Sequence, residues 1–291
     1  MKFKLFTAIF LILIFVSSCE AQGPRVKITP EMDEYPPILH SNEFKQPISI
    51  NISTRGVEDS PFISGNNLFI AYTPDPSIPP RKQLFDGLSG IWVSKRQGDQ
   101  WGKPERVLLQ EPGKLSLDGC AFVQGDKMWF CSAREGYKGI NWFTAEYVDG
   151  MWQNWRDANF GIEVEEIHIS EDELYFGSKK SGGKGKKDLW FSKKVGGRWQ
   201  APQHIAAVNS KEDEARPFVR KDELWFDRTY KGTPAVFRSK RINGKWQEPE
   251  MIVSQFAGEP NLDENGNLYF VHPFFKMNRM IEADIYAAYR K

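Results

Sequence analysis

The chain has 291 residues, 40% hydrophobic, 14% aromatic and 26% charged, with a formal net charge of +1 and three cysteines. Such a length supports one sizeable core, and near-neutrality gives no electrostatic case for nucleic acid as a partner. The cysteines are too few for a disulfide scaffold and no Cys or His cluster has ligand spacing, so no metal or other cofactor is expected.

Residues 1–18 open with a basic head, Met1-Lys-Phe-Lys4, followed by an apolar run from Leu5 to Val16 that only Thr7 interrupts. The run is too short for a permanent membrane-spanning helix. Small residues precede Cys19, so this segment resembles a bacterial lipoprotein signal, with Cys19 as the lipidated N-terminus after cleavage. Loss of Lys2 and Lys4 would take the formal charge from +1 to −1. Residues 19–45, with Pro24, Pro30, Pro36 and Pro37, read as a lipidated cysteine and flexible tether. The expected location is the cell envelope, lipid-anchored at the outer membrane or cell surface, with envelope proteins as possible partners.

From residue 46 onward a repeat takes over. Five aromatic cores align: Leu68-Phe69-Ile70, Met128-Trp129-Phe130, Leu174-Tyr175-Phe176, Leu224-Trp225-Phe226 and Leu268-Tyr269-Phe270, spaced 44 to 60 residues apart. After each comes an aromatic residue and then a small one: Trp92/Ser94, Trp142/Thr144, Trp190/Ser192, Phe237/Ser239 and Tyr286/Ala288. Four copies end on a tryptophan phrase beginning at Trp101, Trp152, Trp199 or Trp246. Short runs rich in β-branched and aromatic residues, punctuated by Gly, Asn, Asp and Pro, predict strands, and no helical period competes. Repeats of this length with about four strands predict an all-β chain with a single five-bladed β-propeller over residues 46–291. The last copy lacks its fourth strand, and Gln46–Ile52 is expected to supply it and close the ring.

The stretch from Glu166 to Pro202 carries these phrases most fully and resembles the WD40-like repeats of the Tol-associated propeller type. The resemblance covers about residues 55 to 291 and implies a propeller. It also implies a lipoprotein of the kind found in polysaccharide-degradation systems, although fold alone does not set function.

Candidate site residues lie where the innermost strands begin. An acidic residue recurs there in every copy: Glu58 and Asp59, Asp118, Glu165 and Glu166, Glu214 and Glu259. Recurrence suits carboxylates that accept backbone N–H groups or pair with a neighbouring blade; departures from the repeat suit function. Six residues before each core Leu or Met stand Phe62, Phe122, His168, Phe218 and Leu262, so His168 is either a satisfied core imidazole or a titratable group facing the axis. Four residues after it stand Tyr72, Ser132, Ser178, Arg228 and His272. Arg216, Tyr230 and Lys276 join Arg228 and His272 as polar departures in the last two copies.

Arginine forks match carboxylates, and Tyr72, Trp142, Phe274 and Phe275 offer faces for sugar rings. The residues therefore suit an oligosaccharide partner, with β-elimination at a uronate by a lyase or dehydratase as the leading expectation. Arg216 or Arg228 would neutralise the carboxylate while His168, Tyr230 or His272 moves protons, and Glu58, Asp59, Asp118, Glu165, Glu214, Glu259, Tyr72 and Lys276 would bind substrate. One alternative is a glycoside hydrolase using Asp59, Asp118 and Glu165. Another is a non-catalytic binding platform, which a face plugged by Phe side chains would favour.

Two further features stand apart. Cys120 and Cys131 flank the Gly125-Asp126 turn, and a two-residue turn puts them at a wide, hydrogen-bonded pair, favouring free thiols over a disulfide. The loop from Thr73 to Ser89, with four prolines, is expected to form a lip over the axial mouth.

Overall fold

The computed structural model describes residues 25–291; Cys19 and the signal-like segment lie outside the described residues. Five antiparallel meanders follow one another along the chain. Their first strands are Val57–Ser64, Ser116–Gln124, Glu165–Ser170, Glu214–Arg220 and Gly258–Leu262. Each pairs with a second strand, Asn67–Thr73, Lys127–Arg134, Glu173–Ser178, Glu223–Tyr230 or Leu268–Lys276, which holds the aromatic core phrase. Third strands follow at Gly90–Gln97, Asn141–Val148, Asp188–Val195, Thr233–Ile242 and Arg279–Ala288.

Outer strands complete four units at Glu105–Arg106, Met151–Asp157, Gln203–His204 and Glu250–Ser254. In units one, three and four the conserved-looking tryptophan is not on the outer strand itself. Trp101, Trp199 and Trp246 instead end a short hairpin extending the third strand, and the outer strand begins after it. In the fifth unit the outer partner is Ile48–Ser49, paired antiparallel to Ala287 and Tyr286.

One meander buries neither of its faces, so the apolar side chains meet between units. Leu68, Met128, Leu174, Leu224 and Leu268 are fully buried, and each sits in a cluster drawing on more than one unit. First strands lie side by side in order, and that of the fifth unit contacts that of the first. The sheets themselves stay open; only a single parallel bridge, Ala283 to Val57, links the fifth and first.

Residues 25–45 do not behave as the tether expected from their prolines. Ile38–Leu39 adds a strand to Glu250–Ser254, and Phe44 is fully buried against Trp225 at 6.2 Å. Lys27 bridges Glu282 (2.6 Å) and Asp284, while Asp33 accepts a hydrogen bond from His272 at 2.7 Å. Glu43 pairs with the buried Arg238, which also meets Glu250 (2.6 Å) and Glu223 (3.2 Å). Hydrogen bonding from Arg238 holds the Glu43 carboxyl down at about 2 despite partial burial. Proline spacing reads only backbone stiffness, whereas these attachments come from single side chains that dock into units four and five.

Truncating Phe44 to Ala should therefore lower unfolding free energy by about 3–5 kcal/mol. Urea unfolding would check this, as a lower midpoint with an unchanged slope.

Candidate active site at the axial cavity

Every first strand carries a bulge at the same place. Pairing with the second strand breaks between Asp59 and Phe62, Gly119 and Phe122, Glu165 and Ile167, Ala215 and Phe218, and Gly258 and Asn261. Within the breaks stand Ser60, Cys120, Glu166, Arg216 and Glu259, each in the left-handed region with φ of 50°, 52°, 45°, 52° and 56°. A side chain with a Cβ adopts this conformation at a cost of about 1–2 kcal/mol. Five such residues at equivalent positions mark a built feature, because a bulge re-aims the side chain it carries. All five line one cavity of about 360 Å³ at the start of the inner strands.

Two residues further on, the side chains form the cavity floor. Phe62 meets Phe122 at 5.1 Å, Phe122 meets His168 at 4.8 Å, and His168 meets Phe218 at 4.7 Å. The fifth member is Asn261, not Leu262: Asn261 opposes Tyr269 as Phe218 opposes Trp225. The longer turn after Leu262 shifts the count by one, and Asn261 accepts the Ile63 amide at 3.0 Å. His168 is buried, donates Nε2–H to the Val219 carbonyl at 3.0 Å, and is pushed down to about 3 by desolvation. It is therefore a neutral floor ring at physiological pH.

The walls are acidic. Ser60 donates both its amide (2.7 Å) and its hydroxyl (3.0 Å) to Glu259. Burial and then the Glu259 charge push Asp59 up to about 8, so Asp59 keeps its proton at neutral pH. Arg216 is clamped between Glu259 (3.0 Å) and Asp227 (2.9 Å). Burial lifts Asp227 to about 6, and its Oδ1 has no hydrogen-bond partner. Glu166, from unit three, pairs with Lys187 at 3.1 Å. Among the described residues no group of three or more His, Cys, Asp or Glu side chains is arranged to hold a metal ion.

Of the residues expected from sequence, Asp59, Asp118, Glu166, His168, Arg216, Glu259, Tyr72 and Trp142 line the cavity. The others do not reach it. Arg228 donates to Glu214 (2.7 Å) and the Val208 carbonyl (2.6 Å) inside unit four. Glu214 is fully buried and also takes Ser210, and burial raises its pKa. Glu58 is a second such anchor, accepting from Thr54 and lifted by desolvation to about 7. Asp118, though in the wall, is occupied by Ser116, Ser132 and the buried Arg134.

Glu165 turns to Lys187 (2.8 Å), leaving its neighbour Glu166 to face the cavity. His272 is fully buried between Asp33 and the Phe256 carbonyl. Tyr230 and Lys276 sit at hairpin ends, paired with Thr233 and Arg279. Trp142 and the lip residue Gln83 line the cavity, whereas Phe274 and Phe275 do not. Cys120 and Cys131 are free and both in the wall; the bulge sets Gly119, not Cys120, opposite Cys131. Sequence reasoning missed Ser60 and Cys120 because nothing in residue spacing announces a bulge.

No family model matches the sequence and no curated protein is detectably similar to it. Solved structures are. A thermostable family-43 glycoside hydrolase superposes with a TM-score of 0.52 at 8% identity, covering 81% of this chain and 90% of that one. An endo-arabinase from Bacteroides thetaiotaomicron gives 0.52 at 13% identity, with 84% and 99% covered. The protein described as Bacteroides ovatus xyloglucan PUL GH43B gives 0.50 at 13%, with 83% of this chain and 54% of that one covered. The fold is a β-propeller. At these identities the likeness establishes that fold alone, and the WD40-like resemblance rests on the strand phrases.

Because His168 binds fewer protons folded than unfolded between pH 3 and 6.5, its contribution to stability declines as pH falls through that window. By pH 4 the loss amounts to about 3 kcal/mol. Replacing His168 by Phe, as in the equivalent positions Phe62, Phe122 and Phe218, should remove that loss, visible as a smaller difference between urea midpoints at pH 7 and pH 4.

Proposed function

We propose that this protein hydrolyses glycosidic bonds in a carbohydrate held in the axial cavity. The observation that carries the reading is the pairing of a proton-holding carboxyl, Asp59 beside Glu259, with a second carboxylate, Glu166, from a different unit of the same cavity. Two carboxyl groups in contrasting environments are what acid and base roles at a glycosidic bond require. Asp59 gives its proton to the departing sugar oxygen, whose bond to the anomeric carbon breaks. Water attacks that carbon, and Glu166 takes the proton the water sheds. Glu259 keeps Asp59 protonated, and Arg216 fixes Glu259 in place. The aromatic floor packs the apolar face of the ring.

The reading departs from elimination at a uronate. Arg228 and His272 are committed elsewhere, His168 is neutral, and Arg216 already faces two carboxylates. Asp59, Glu166, Glu259 and Asp227 around a single Arg216 favour a neutral sugar over an acidic one. Binding without catalysis is the second reading, favoured by the Phe floor that closes the axis.

The finer architecture belongs to the same proposal. The five meanders are five blades of a ring, with Ile48–Ser49 as the closing strand, and Cys19 carries a lipid that holds the propeller on a bacterial envelope.

Incubation with neutral arabino-, xylo- and gluco-oligosaccharides and with uronate oligomers, read by reducing ends, product masses and far-ultraviolet absorbance, tests the reading. Reducing-end release from neutral substrates is expected; a conjugated alkene from uronates would establish elimination instead, and binding without turnover would establish a lectin-like platform. Asp59→Asn and Glu166→Gln should each lower kcat by about 10²–10⁴-fold with KM little changed. The rate should fall about tenfold per pH unit above about 8, where Asp59 loses its proton.

A further inference from the structure

Four of the five junctions between units close in one way. A ring on the second strand of one unit meets a ring on the outer edge of the next: Tyr269 with Trp101 (6.2 Å), Phe69 with Trp152 (6.2 Å), Tyr175 with Trp246 (6.1 Å) and Trp225 with Phe44 (6.2 Å). At three of these an arginine lies over the outer ring and reaches an acid of the preceding unit. Arg96 covers Trp101 (4.4 Å) and meets Asp263 (3.4 Å); Arg241 covers Trp246 (4.9 Å) and meets Glu173 (3.0 Å); Arg290 covers Phe44 (5.1 Å) and meets Glu223 (3.9 Å).

The junction between units two and three breaks the pattern. Lys194 covers Trp199 at 5.4 Å as the arginines do, but Lys127 occupies the place of Glu173 and Glu223. Lys127 lies over its own Trp129 at 4.5 Å. Two cations thus stand where three other junctions have an ion pair, and like charges do not close a seam. Desolvation and the nearby Arg156 and Lys194 charges lower the Lys127 pKa, as expected of a crowded cationic site. Glu146, across the strand pair from Lys127, gives its carboxylate to Arg156 at 2.9 Å. A cleft of about 600 Å³ remains, with Trp129 and Trp199 contributed by the two units and Phe160, Arg198 and Lys194 in its lining; among the described residues Glu171 is its only carboxylate.

We propose that this cleft, at the opposite end of the inner strands from the axial cavity, binds a negatively charged sugar unit. Its ring packs between Trp129 and Trp199, and its carboxylate or sulfate sits on Lys127 and Lys194. Tryptophan walls match the C–H face of a sugar ring, and Lys127, Lys194 and Arg198 against the single carboxylate Glu171 leave positive charge to match one anionic substituent. The site does not depend on what the axial cavity does.

Titrating the protein, by tryptophan fluorescence and calorimetry, with oligogalacturonate, a chondroitin sulfate hexasaccharide, a neutral oligosaccharide of equal length and a single-stranded oligonucleotide tests the assignment. Saturable binding of the uronate or the sulfated oligomer, at least tenfold tighter than the neutral one and weakened by salt, is expected; which of the two binds separates the anion sources. Lys127→Glu restores the ion-pair pattern of the other junctions, so it should raise thermal stability and weaken that binding at least tenfold. Asp59→Asn should leave the binding unchanged. Equal affinity for neutral sugar, tighter binding of the oligonucleotide, no binding at millimolar ligand, or wild-type affinity in Lys127→Glu would overturn the proposal.

Discussion

A left-handed bulge at the start of each inner strand governs how this propeller presents chemistry. Inner strands that converge near an axis leave their alternate side chains pointing at floor or neighbour, and an unbroken ladder would aim nothing polar into the opening. The bulge takes one residue out of the ladder and turns its side chain inward at Ser60, Cys120, Glu166, Arg216 and Glu259. What occupies those five positions, with Asp59 beside the first of them, is therefore the cavity's chemistry, and the framework is held by other groups. Two residues earlier, the buried Glu58, Asp118 and Glu214 bind the local chain through Thr54, Ser116 and Ser210.

This division explains why the acidic recurrence in the sequence mixes two roles. Glu58, Asp118 and Glu214 recur because the framework needs them; Asp59, Glu166 and Glu259 sit beside or within the bulge and meet the cavity. One or two residues of offset separate the classes, and period counting cannot resolve so small an offset when turns vary in length. The longer fifth turn, anchored by Asp263 to Asn265 and Asn267, is what displaced the count from Asn261 to Leu262.

Strand phrases, the meander order and the outer strand at Ile48–Ser49 were legible because each follows from composition and period. Arg228 and His272 were misread because a basic residue at a strand exit looks the same whether it serves a ligand or a buried neighbour. Their partners, Glu214 and Asp33, lie 14 and 239 residues away in sequence, and no local pattern announces them. The segment at residues 25–45 was misread for the same reason, since Lys27, Asp33, Glu43 and Phe44 find their partners between Trp225 and Arg290.

That segment has a mechanical consequence. The fifth unit's outer strand is a two-residue pairing, the sort of joint that peels when its free end is pulled. Pulling from upstream of Arg25 does not reach it directly. Tension meets first the Arg25–Asp75 pair, then the ion pairs of Lys27, the Asp33–His272 contact, the strand at Ile38–Leu39 and the buried Phe44. Ile48–Ser49 is left slack until all of these have yielded, so the segment works as the strain relief on a cable, and tension applied from upstream stretches the clamp before it peels the outer strand.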